Sequence, residues 1–309
     1  MMKTILNTST DPYFNLALEE YLVKNLNFNE DFFILWQNSP SVIIGRNQNV
    51  FEEIDIKLAI QKGIPFVRRI SGGGTVFHDL GNLNFTFITK NKGLANNYKV
   101  MTEKIVAALN KIGIPIGLVG KSDLKIGHEK ISGNAQFVYK DVLLHHGTFL
   151  FYSNLTTLKK LLRPKKDDVL SHSVKSNRSE VTNLSQFTHL SLEEIKEYLY
   201  VELMGNDYKK DALSLSSDVL DQVNDLKNEK YLSWEWNYAE SPSSMIKKNK
   251  DDLHMAFTVE QGVIKSISIT KKDLPLTEIE TLLLEKKVIP GELKSLLINH
   301  LDVYDCLLE

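Results

Sequence analysis

Arg68-Arg69-Ile70-Ser71-Gly72-Gly73-Gly74-Thr75-Val76-Phe77-His78-Asp79-Leu80-Gly81-Asn82-Leu83-Asn84 is the stretch on which the reading of this chain turns. A β-forming run ends in two arginines, three glycines follow, and a second β-forming run begins at once. Strand, glycine turn and strand, with no helix opening after the turn, predict strands that come in groups. Consecutive glycines can turn successive backbone N–H groups to one side, because no Cβ blocks the approach, and so form an anion nest. Arg69 beside them offers a planar fork of donors suited to a carboxylate or a phosphate. Three glycines alone could be a plain tight turn. The arginine pair before them and His78-Asp79 after them favour a ligand site.

Two better-known phosphate loops fail against this chain. Gly120-Lys121-Ser122 supplies the end of a G-x-x-x-x-G-K-[ST] loop, but the required first glycine falls on Pro115, which has no N–H to give. The dinucleotide pattern G-x-G-x-x-G, started at Gly72, ends on Phe77, and no helix opens there.

On either side of the glycines the pattern is mixed. A short strand is expected at 3–6, then a helix with Asp11 as N-cap and Pro12 at its first position. Phe14, Ala17, Leu18, Tyr21 and Leu22 form its buried stripe, and Glu19 and Glu20 read as exposed helix charges. Strand-like runs lie at 32–36, 41–44, 66–70, 74–78, 83–88, 114–119, 131–138 and 143–151, with helices at 55–62 and 98–111. From 155 to 230 the pattern turns helical, broken by a polar stretch at 171–184. Ser191 and Glu194 make a capping box there. A proline-containing polar stretch at 241–250 reads as a hinge. A hairpin around Gln261-Gly262 follows, joining 253–259 to 263–269, and then helices at 276–285 and 291–299. Grouped strands predict an α+β fold, with mixed or antiparallel sheets and flanking helices, rather than a doubly wound parallel sheet. The expected division is a domain of residues 1–240, a hinge at 241–250 and a small α+β domain at 251–309.

Bulk properties narrow the function. The 309 residues carry 37 basic and 39 acidic side chains, a formal charge of −2, so no broad field points to nucleic acid or a membrane surface. The start, MMKTILNTSTDPYF, lacks the apolar run of a signal peptide, and FFILW at 32–36 and SVIIG at 41–45 are too short to span a bilayer. A cytoplasmic protein is expected. Cys306 is the sole cysteine, which rules out an internal disulfide framework and a cysteine metal cluster.

A second informative segment runs from Gly120-Lys121-Ser122-Asp123-Leu124 through Lys130-Ile131-Ser132-Gly133-Asn134-Ala135-Gln136 to His145-His146-Gly147-Thr148. Lys130 precedes a strand and a glycine, so its ammonium can be held in one direction. Next to a phosphate nest, such a lysine can bridge a carboxylate nucleophile and an α-phosphate.

In order along the chain, several segments resemble the lipoate–protein ligases, within the superfamily that includes biotin ligases and octanoyltransferases. They are TDPYFNLALEE at 10–20, IIGRNQN at 43–49, RRISGGGTVFHDLGNLNF at 68–85, SDL at 122–124, KISGNAQ at 130–136, HHGTFL at 145–150, SVKSNRSEVTNL at 173–184 and SWEWNY at 233–238. The resemblance covers roughly residues 5–240. It implies an acyl-adenylate-forming catalytic domain with ATP and Mg²⁺ as reactants. Lipoate would become lipoyl-AMP, and a lysine of an apo acceptor would then take the acyl group. The acceptor would be an E2 lipoyl domain, a glycine-cleavage H protein or an H-like protein, and the enzyme itself a monomer.

The resemblance also implies roles. Lys130 touches both carboxylate and α-phosphate, and Asp123 orients it or holds Mg²⁺. Arg69, Ser71, Gly72, Gly73 and Gly74 form the acyl-adenylate loop, and Val76, Phe77 and His78 lie beside the adenine and acyl tunnel. Asn82 is a polar position near the phosphate, Ser132 and Ala135 follow Lys130 along its strand, and His146 lines the acyl pocket. Arg46 lies in a nucleotide-contacting loop, and Arg178 reaches the phosphate from a closing loop. The chain departs from the pattern after SWEWNY, where AESPSSM stands in place of a glycine and an aromatic residue, and its last sixty residues match weakly.

Three rivals remain on the sequence. A lipoyl- or octanoyl-transferase working through an acyl-enzyme needs a cysteine nucleophile, and Cys306 lies outside every motif. A biotin ligase would carry a G-R-G-R-x-G-R type motif, which is absent. A non-catalytic lipoyl-AMP-binding protein would not need Lys130.

Overall fold

The computed structural model describes residues 2–25, 30–162, 169–171, 173, 174, 176 and 179–308. The chain begins with β1 (Met2–Lys3), α1 (Pro12–Asn25), β2 (Asp31–Trp36), β3 (Ser41–Ile44), α2 (Val50–Glu53), α3 (Ile56–Gln61), β4 (Phe66–Arg68), β5 (Val76–His78) and β6 (Asn82–Lys90). Next come α4 (Tyr98–Lys111), β7 (Gly117–Val119), β8 (Asp123–Ile126), β9 (Glu129–Tyr139), β10 (Val142–Leu150), α5 (Leu155–Leu161) and β11 (Val169–Ser171). The rest comprises α6 (Leu192–Met204), α7 (Ser217–Leu226), β12 (Ser244–Lys250), β13 (Leu253–Glu260), β14 (Val263–Lys271), β15 (Leu274–Pro275), α8 (Thr277–Leu283), α9 (Pro290–Leu296) and α10 (Leu301–Leu308).

Helix starts follow their caps. The Asp11 carboxylate accepts the Tyr13 N–H at 2.9 Å, with Pro12 at the first helical position. Asn49, Asp55, Asn97 and Asn154 cap four further helices, and Ser191 with Glu194 closes a capping box on α6.

The strands form three sheets. Seven run in the order β1-β2-β6-β10-β9-β8-β7, three as β4-β3-β5, and five as β11-β12-β13-β14-β15. The first two mix parallel and antiparallel pairs: β1 with β2 and β3 with β4 are parallel, whereas β6 pairs antiparallel with both β2 and β10. This is the α+β arrangement expected from the grouped strands.

Strand alternation sorts the core into layers. Phe33 and Leu35 of β2 pack with Phe85 and Phe87 against Ile105 and Leu109 of α4 and Ile195 and Leu199 of α6. Phe32, Ile34 and Trp36 face the other way, toward Leu16 and Leu22 of α1 and Ile43 and Val67 of the three-stranded sheet. Val42, Ile44, Phe66 and Phe77 occupy the far side of that small sheet and join Ile246, Phe257 and Cys306 of the C-terminal part. The small sheet thus lies between two cores, with one edge of its face over the large sheet.

Three expectations are corrected. The stretch 241–250, read as a hinge, is mostly strand: Ser244–Lys250 pairs with β13 from Ser244↔Val259 to Lys250↔Leu253. Its polar sequence still alternates, with Ser244 and Ile246 buried and Met245 and Lys247 exposed, which suffices for an inner strand with one wet face. The first strand covers only Met2–Lys3, not 3–6, and a final helix at Leu301–Leu308 adds Tyr304 and Cys306 to the core. Third, Glu19 and Glu20 are buried, at 4% and 1% exposure, because α1 is enclosed on most sides.

Glu20 is held by three donors: Lys24 Nζ at 2.6 Å, Lys230 Nζ at 2.7 Å and the Tyr231 hydroxyl at 2.6 Å. Burial works to raise its carboxyl, but these hydrogen bonds together outweigh burial and hold it below the ordinary range. Lys230 also sits 3.8 Å from the centre of the Trp236 ring. The cluster ties α1 to two π-helical turns, Lys227–Tyr231 and Glu235–Ala239, which lead into the C-terminal sheet. Among the described residues, no helix is long and apolar enough to cross a membrane.

Candidate functional site

A cleft opens where the small sheet lies over the large one, and it has two lobes. The first is lined by Leu16, Trp36, Ile43, His78, Asn84 and His146 among others, and the second by Glu53, Leu150, Leu158, Lys159, Leu162 and Val181 among others. Thr75, Val76, Lys130, Gly133, Thr148 and Ser176 belong to both. Lys130 therefore stands at the junction.

Backbone pairing fixes Lys130 on both flanks. It lies opposite Lys125 on β8, where the register shifts, and its N–H and carbonyl bond Glu180 O at 2.8 Å and Thr182 N at 3.1 Å. The side chain crosses Gly133, where a Cβ would come within 3.2 Å of Nζ. Its ammonium meets Asp123 Oδ1 at 2.9 Å. A glycine clears the path and a carboxylate aims the charge.

The glycine loop is held from behind. Arg69 was expected to present its fork to a ligand, but four of its five donors turn inward. Nε bonds Ser71 Oγ at 2.9 Å, Nη1 bonds Ile43 O at 3.1 Å, and Nη2 bonds Gly72 O at 2.6 Å and Gly74 O at 2.8 Å. Burial is the main cause that lowers this guanidinium to about 10, with the Glu19 charge pulling the other way. Arg69 thus takes two of the loop's carbonyls, and Gly73 and Gly74 line the cleft. Gly73, at φ +89°, lies in a backbone region that suits glycine, and a Cβ there would sit 3.1 Å from Arg69 Nη2.

Ser71 is fully buried and does not line the cleft. Its Oγ lies 2.7 Å from His146 Nε2, and His146 Nδ1 lies 3.0 Å from Glu19 Oε2. Thr86 Oγ1 also donates to Glu19, and Trp36 Nε1 donates to Thr86. One consistent proton order satisfies the chain: Arg69 to Ser71, Ser71 to His146 Nε2, and His146 Nδ1–H to the Glu19 carboxylate. A buried acid on α1 thereby sets the shape of the glycine loop. Sequence reasoning missed Glu19, although an acid inside a helix apolar on most sides was a signal.

A second support meets the loop from the front. Gln48, fully buried, accepts from Gly45 N and Thr75 Oγ1 and donates to Val174 O and Ser176 Oγ. Ser176 Oγ in turn accepts the Thr75 N–H at 3.0 Å and donates to Glu53. Glu52, the neighbouring carboxylate of α2, accepts from Ser171 and Ser173. The Ser176 hydroxyl oxygen thus lies beside Gly74 and Thr75, where ligand oxygens could also bond.

Other expected residues fall differently. Arg46 pairs with Glu240 at 2.7 Å and stacks over Trp236 at 4.7 Å, and it lines neither lobe. Arg68 is fully buried and donates to Gly45 O, Gln48 O, Trp236 O, Asn237 O and Ser241 Oγ, so it locks the 45–48 loop to the segment before β12. Asn82, expected near phosphate, lies behind the surface and donates to Asn84 Oδ1, and Asn84 is the one that lines the cleft. Phe77 and Ser132 line the second lobe, and Val76, Ala135, His78 and His146 the first. Arg178 lies outside the described residues. Trp36, Asn84 and Thr148 were given no role of their own, because each sits in a strand whose pattern marks only the core. Their register, Trp36↔Asn84 and Asn84↔Thr148, places them side by side on one face.

Comparison with known proteins places most of the chain in one family. Residues 11–204 match the family described as the lipoyl protein ligase A/B catalytic domain. The chain is 38% identical over 313 residues to lipoate-protein ligase LplJ of Bacillus subtilis (strain 168), covering 94% of this chain and 92% of that protein. Among solved structures it is similar to P. falciparum LipL1 in complex with lipoate, with a TM-score of 0.62, 27% identity and coverage of 100% of this chain and 99% of that one. It is also similar to lipoate-protein ligase A bound with ATP, with a TM-score of 0.66, 25% identity and coverage of 76% and 97%.

Proposed function

Since this chain belongs to the lipoate–protein ligase family, we propose that its two-lobed cleft joins lipoate to ATP and passes the lipoyl group to a lysine of an apo acceptor protein. The observation that carries this reading is the place of Lys130, shared by both lobes and aimed by Asp123. The first lobe, with Leu16, Trp36, Ile43, Val76 and Ala135, takes the acyl chain, and the second takes the nucleotide. The two reactants meet at the lysine.

The chemistry follows from that meeting. A carboxylate oxygen attacks the α-phosphorus, the bond to the bridging oxygen breaks, and pyrophosphate leaves. Lys130 offsets the negative charge of carboxylate and α-phosphate as they approach, which a preformed site does without reorganising solvent. N–H groups of the glycine loop bond the same oxygens once the Ser176 hydroxyl moves aside. An acceptor ε-amine then attacks the acyl carbon, AMP departs with the electron pair, and an amide remains. The mixed anhydride is reactive enough that the protein needs only to position the amine.

Magnesium fits as the counter-ion of ATP's phosphates. Among the described residues no three His, Cys, Asp or Glu side chains gather to hold a metal, and the Asp123 carboxylate already meets Lys130 and Ser179. Asp123 is the side chain that would touch an ion riding on the nucleotide. The acceptor is an E2 lipoyl domain, a glycine-cleavage H protein or an H-like protein.

The test mixes the full chain with ATP, Mg²⁺, lipoate and each apo acceptor, following pyrophosphate and acceptor mass. A lipoyl mass gain that requires ATP is expected, and gain without ATP from an acyl thioester would place the chain among transferases. Cys306→Ser is expected to keep full activity, since the thiol is buried in the C-terminal core and distant in sequence from every cleft residue. A thioester trapped on Cys306 would reverse that. Gly73→Val is expected to weaken binding of an unreactive lipoyl-adenylate analogue by about 5- to 150-fold, given a cost of about 1–3 kcal/mol for a branched residue at this φ. Titration calorimetry reads it directly, and unchanged affinity would refute the loop's role.

A further inference from the structure

His145 is fully buried and lines neither lobe of the cleft. Its ring is the middle of a hydrogen-bonded chain that ends on the turn carrying Asp123. Asn96 N donates to Gln136 Oε1 at 2.7 Å, Gln136 Nε2 lies 3.1 Å from His145 Nδ1, and His145 Nε2 lies 3.2 Å from Asn134 Oδ1. Asn134 Nδ2 then donates to the Ser122 carbonyl at 2.9 Å. Both ends fix the direction. A backbone N–H can only donate, so the Gln136 oxygen faces Asn96 and its nitrogen donates to Nδ1. A carbonyl can only accept, so the Asn134 nitrogen faces Ser122 and its oxygen takes the proton on Nε2. Burial, aided by His146, lowers this imidazole to about 3, so the chain keeps one arrangement near neutral pH.

The chain runs behind the sheet. Strand alternation puts Asn134 and Gln136 on the side facing α4, where the His145 ring meets Tyr98 edge-on at 5.6 Å and lies 6.1 Å from Phe85. The sequence makes room for it: a Cβ at Gly147, opposite Asn134, would come within 2.4 Å of Asn134 Oδ1. At Ser122 the chain meets the reacting groups. That carbonyl accepts twice from Asn134, from the side chain and from the backbone N–H, each at 2.9 Å. The next residue, Asp123, pairs with Gly133, the glycine that Lys130 crosses to reach it. The ladder shifts register just beyond Leu124, so Asp123 depends on the tether at Ser122 for its place.

We infer that His145 is a positioning residue for adenylate formation: acting through Asn134, it fixes the Ser122 carbonyl and thereby the point at which Asp123 meets the Lys130 ammonium. This rests on the ligase reading of the cleft. Without the ring nitrogens, the buried Asn134 oxygen loses its donor, the amide is free to turn over, and Ser122 loses one of its two donors. A misplacement of about 1 Å in an aligned reacting group can cost about 10²-fold in rate. Losing one buried hydrogen bond of the relay corresponds to less, about 10-fold.

The experiment measures single-turnover formation of lipoyl-AMP by the full chain, alongside its affinity for an unreactive lipoyl-adenylate analogue. His145→Phe keeps a buried ring and removes both nitrogens. It is expected to slow adenylate formation by about 10-fold while analogue affinity stays at the wild-type value. The same substitution placed in Asp123→Ala should cause no further slowing, since a lysine already without its carboxylate has no aim to lose. His145→Gln, whose amide offers a donor and an acceptor, should recover part of the rate. An equal fall in rate with and without Asp123, or a parallel loss of analogue affinity, would mark His145 as a structural residue and overturn the inference. So would a wild-type rate in a folded His145→Phe. In the wild type, imidazole nitrogen NMR should find the His145 proton on Nε2, and a proton on Nδ1 would overturn the relay without any variant having to fold. If the wild type formed no lipoyl-AMP, the ligase reading itself would fall.

Discussion

A Lys130→Ala variant is expected to keep its fold and to lose pyrophosphate release by about 10²–10³-fold, the usual loss when a preorganised electrostatic contact is removed. The fold should survive because the strand is held through its backbone, by Lys125 on one side and by the bonds to Glu180 O and Thr182 N on the other. What disappears is, among the described residues, the one ammonium shared by both lobes, and Asp123 is left as a bare carboxylate facing the incoming acid. Two like charges then confront each other, so the variant is worse than neutral. Asp123→Asn should be milder, since Lys130 keeps its charge and loses only its aim. Single-turnover formation of lipoyl-AMP separates these cases from acceptor binding. Adenylate formation by Lys130→Ala at near the wild-type rate would remove this residue from the chemistry.

How much of this was legible beforehand differs between segments for physical reasons. Glycines and caps are local signals, so the glycine loop, the Asp11 start of α1 and the Ser191 capping box could be read directly. The same holds for Lys130 and Asp123, which β8 and β9 bring together as adjacent strands. Long-range facts were hidden. Nothing local to Arg69 says that its donors turn toward Gly72 and Gly74 rather than toward a ligand, because that depends on where β3 places Ile43 O. Glu19 and Glu20 looked like surface charges because a helix alone cannot show that it is enclosed. Apart from Lys24, their partners lie 67 to 211 positions away. The 241–250 stretch looked like a hinge because lysines and serines are poor strand formers in isolation, yet pairing with β13 and one buried face outweigh that.

Glu20→Ala is expected to be the most damaging single change to stability, at about 3–5 kcal/mol, the cost of leaving buried charge without its partner. The carboxylate is 1% exposed and takes bonds from Lys24, Lys230 and Tyr231, so its removal strands an ammonium and a phenol together. Lys230 is already depressed, chiefly by burial, and Glu20 is what opposes that. Losing it frees the turn at Lys227–Tyr231, and through Trp236 it loosens the grip on Arg68 and Arg46. The effect should carry a pH signature. A carboxyl held below its ordinary value of 4.5 contributes stability that is present in full above that value and lost as pH falls through the lower folded value. Urea unfolding should therefore show the Glu20→Ala deficit at pH 7 and a shrinking deficit below about pH 4, where the wild type loses the same contribution. Glu20→Gln should fall between the two, since an amide can still bond Tyr231 but cannot balance Lys230. A pH-independent deficit, or one below about 1 kcal/mol, would show that the cluster is an ordinary solvent-screened pair and not the clasp between α1 and the path to the C-terminal sheet.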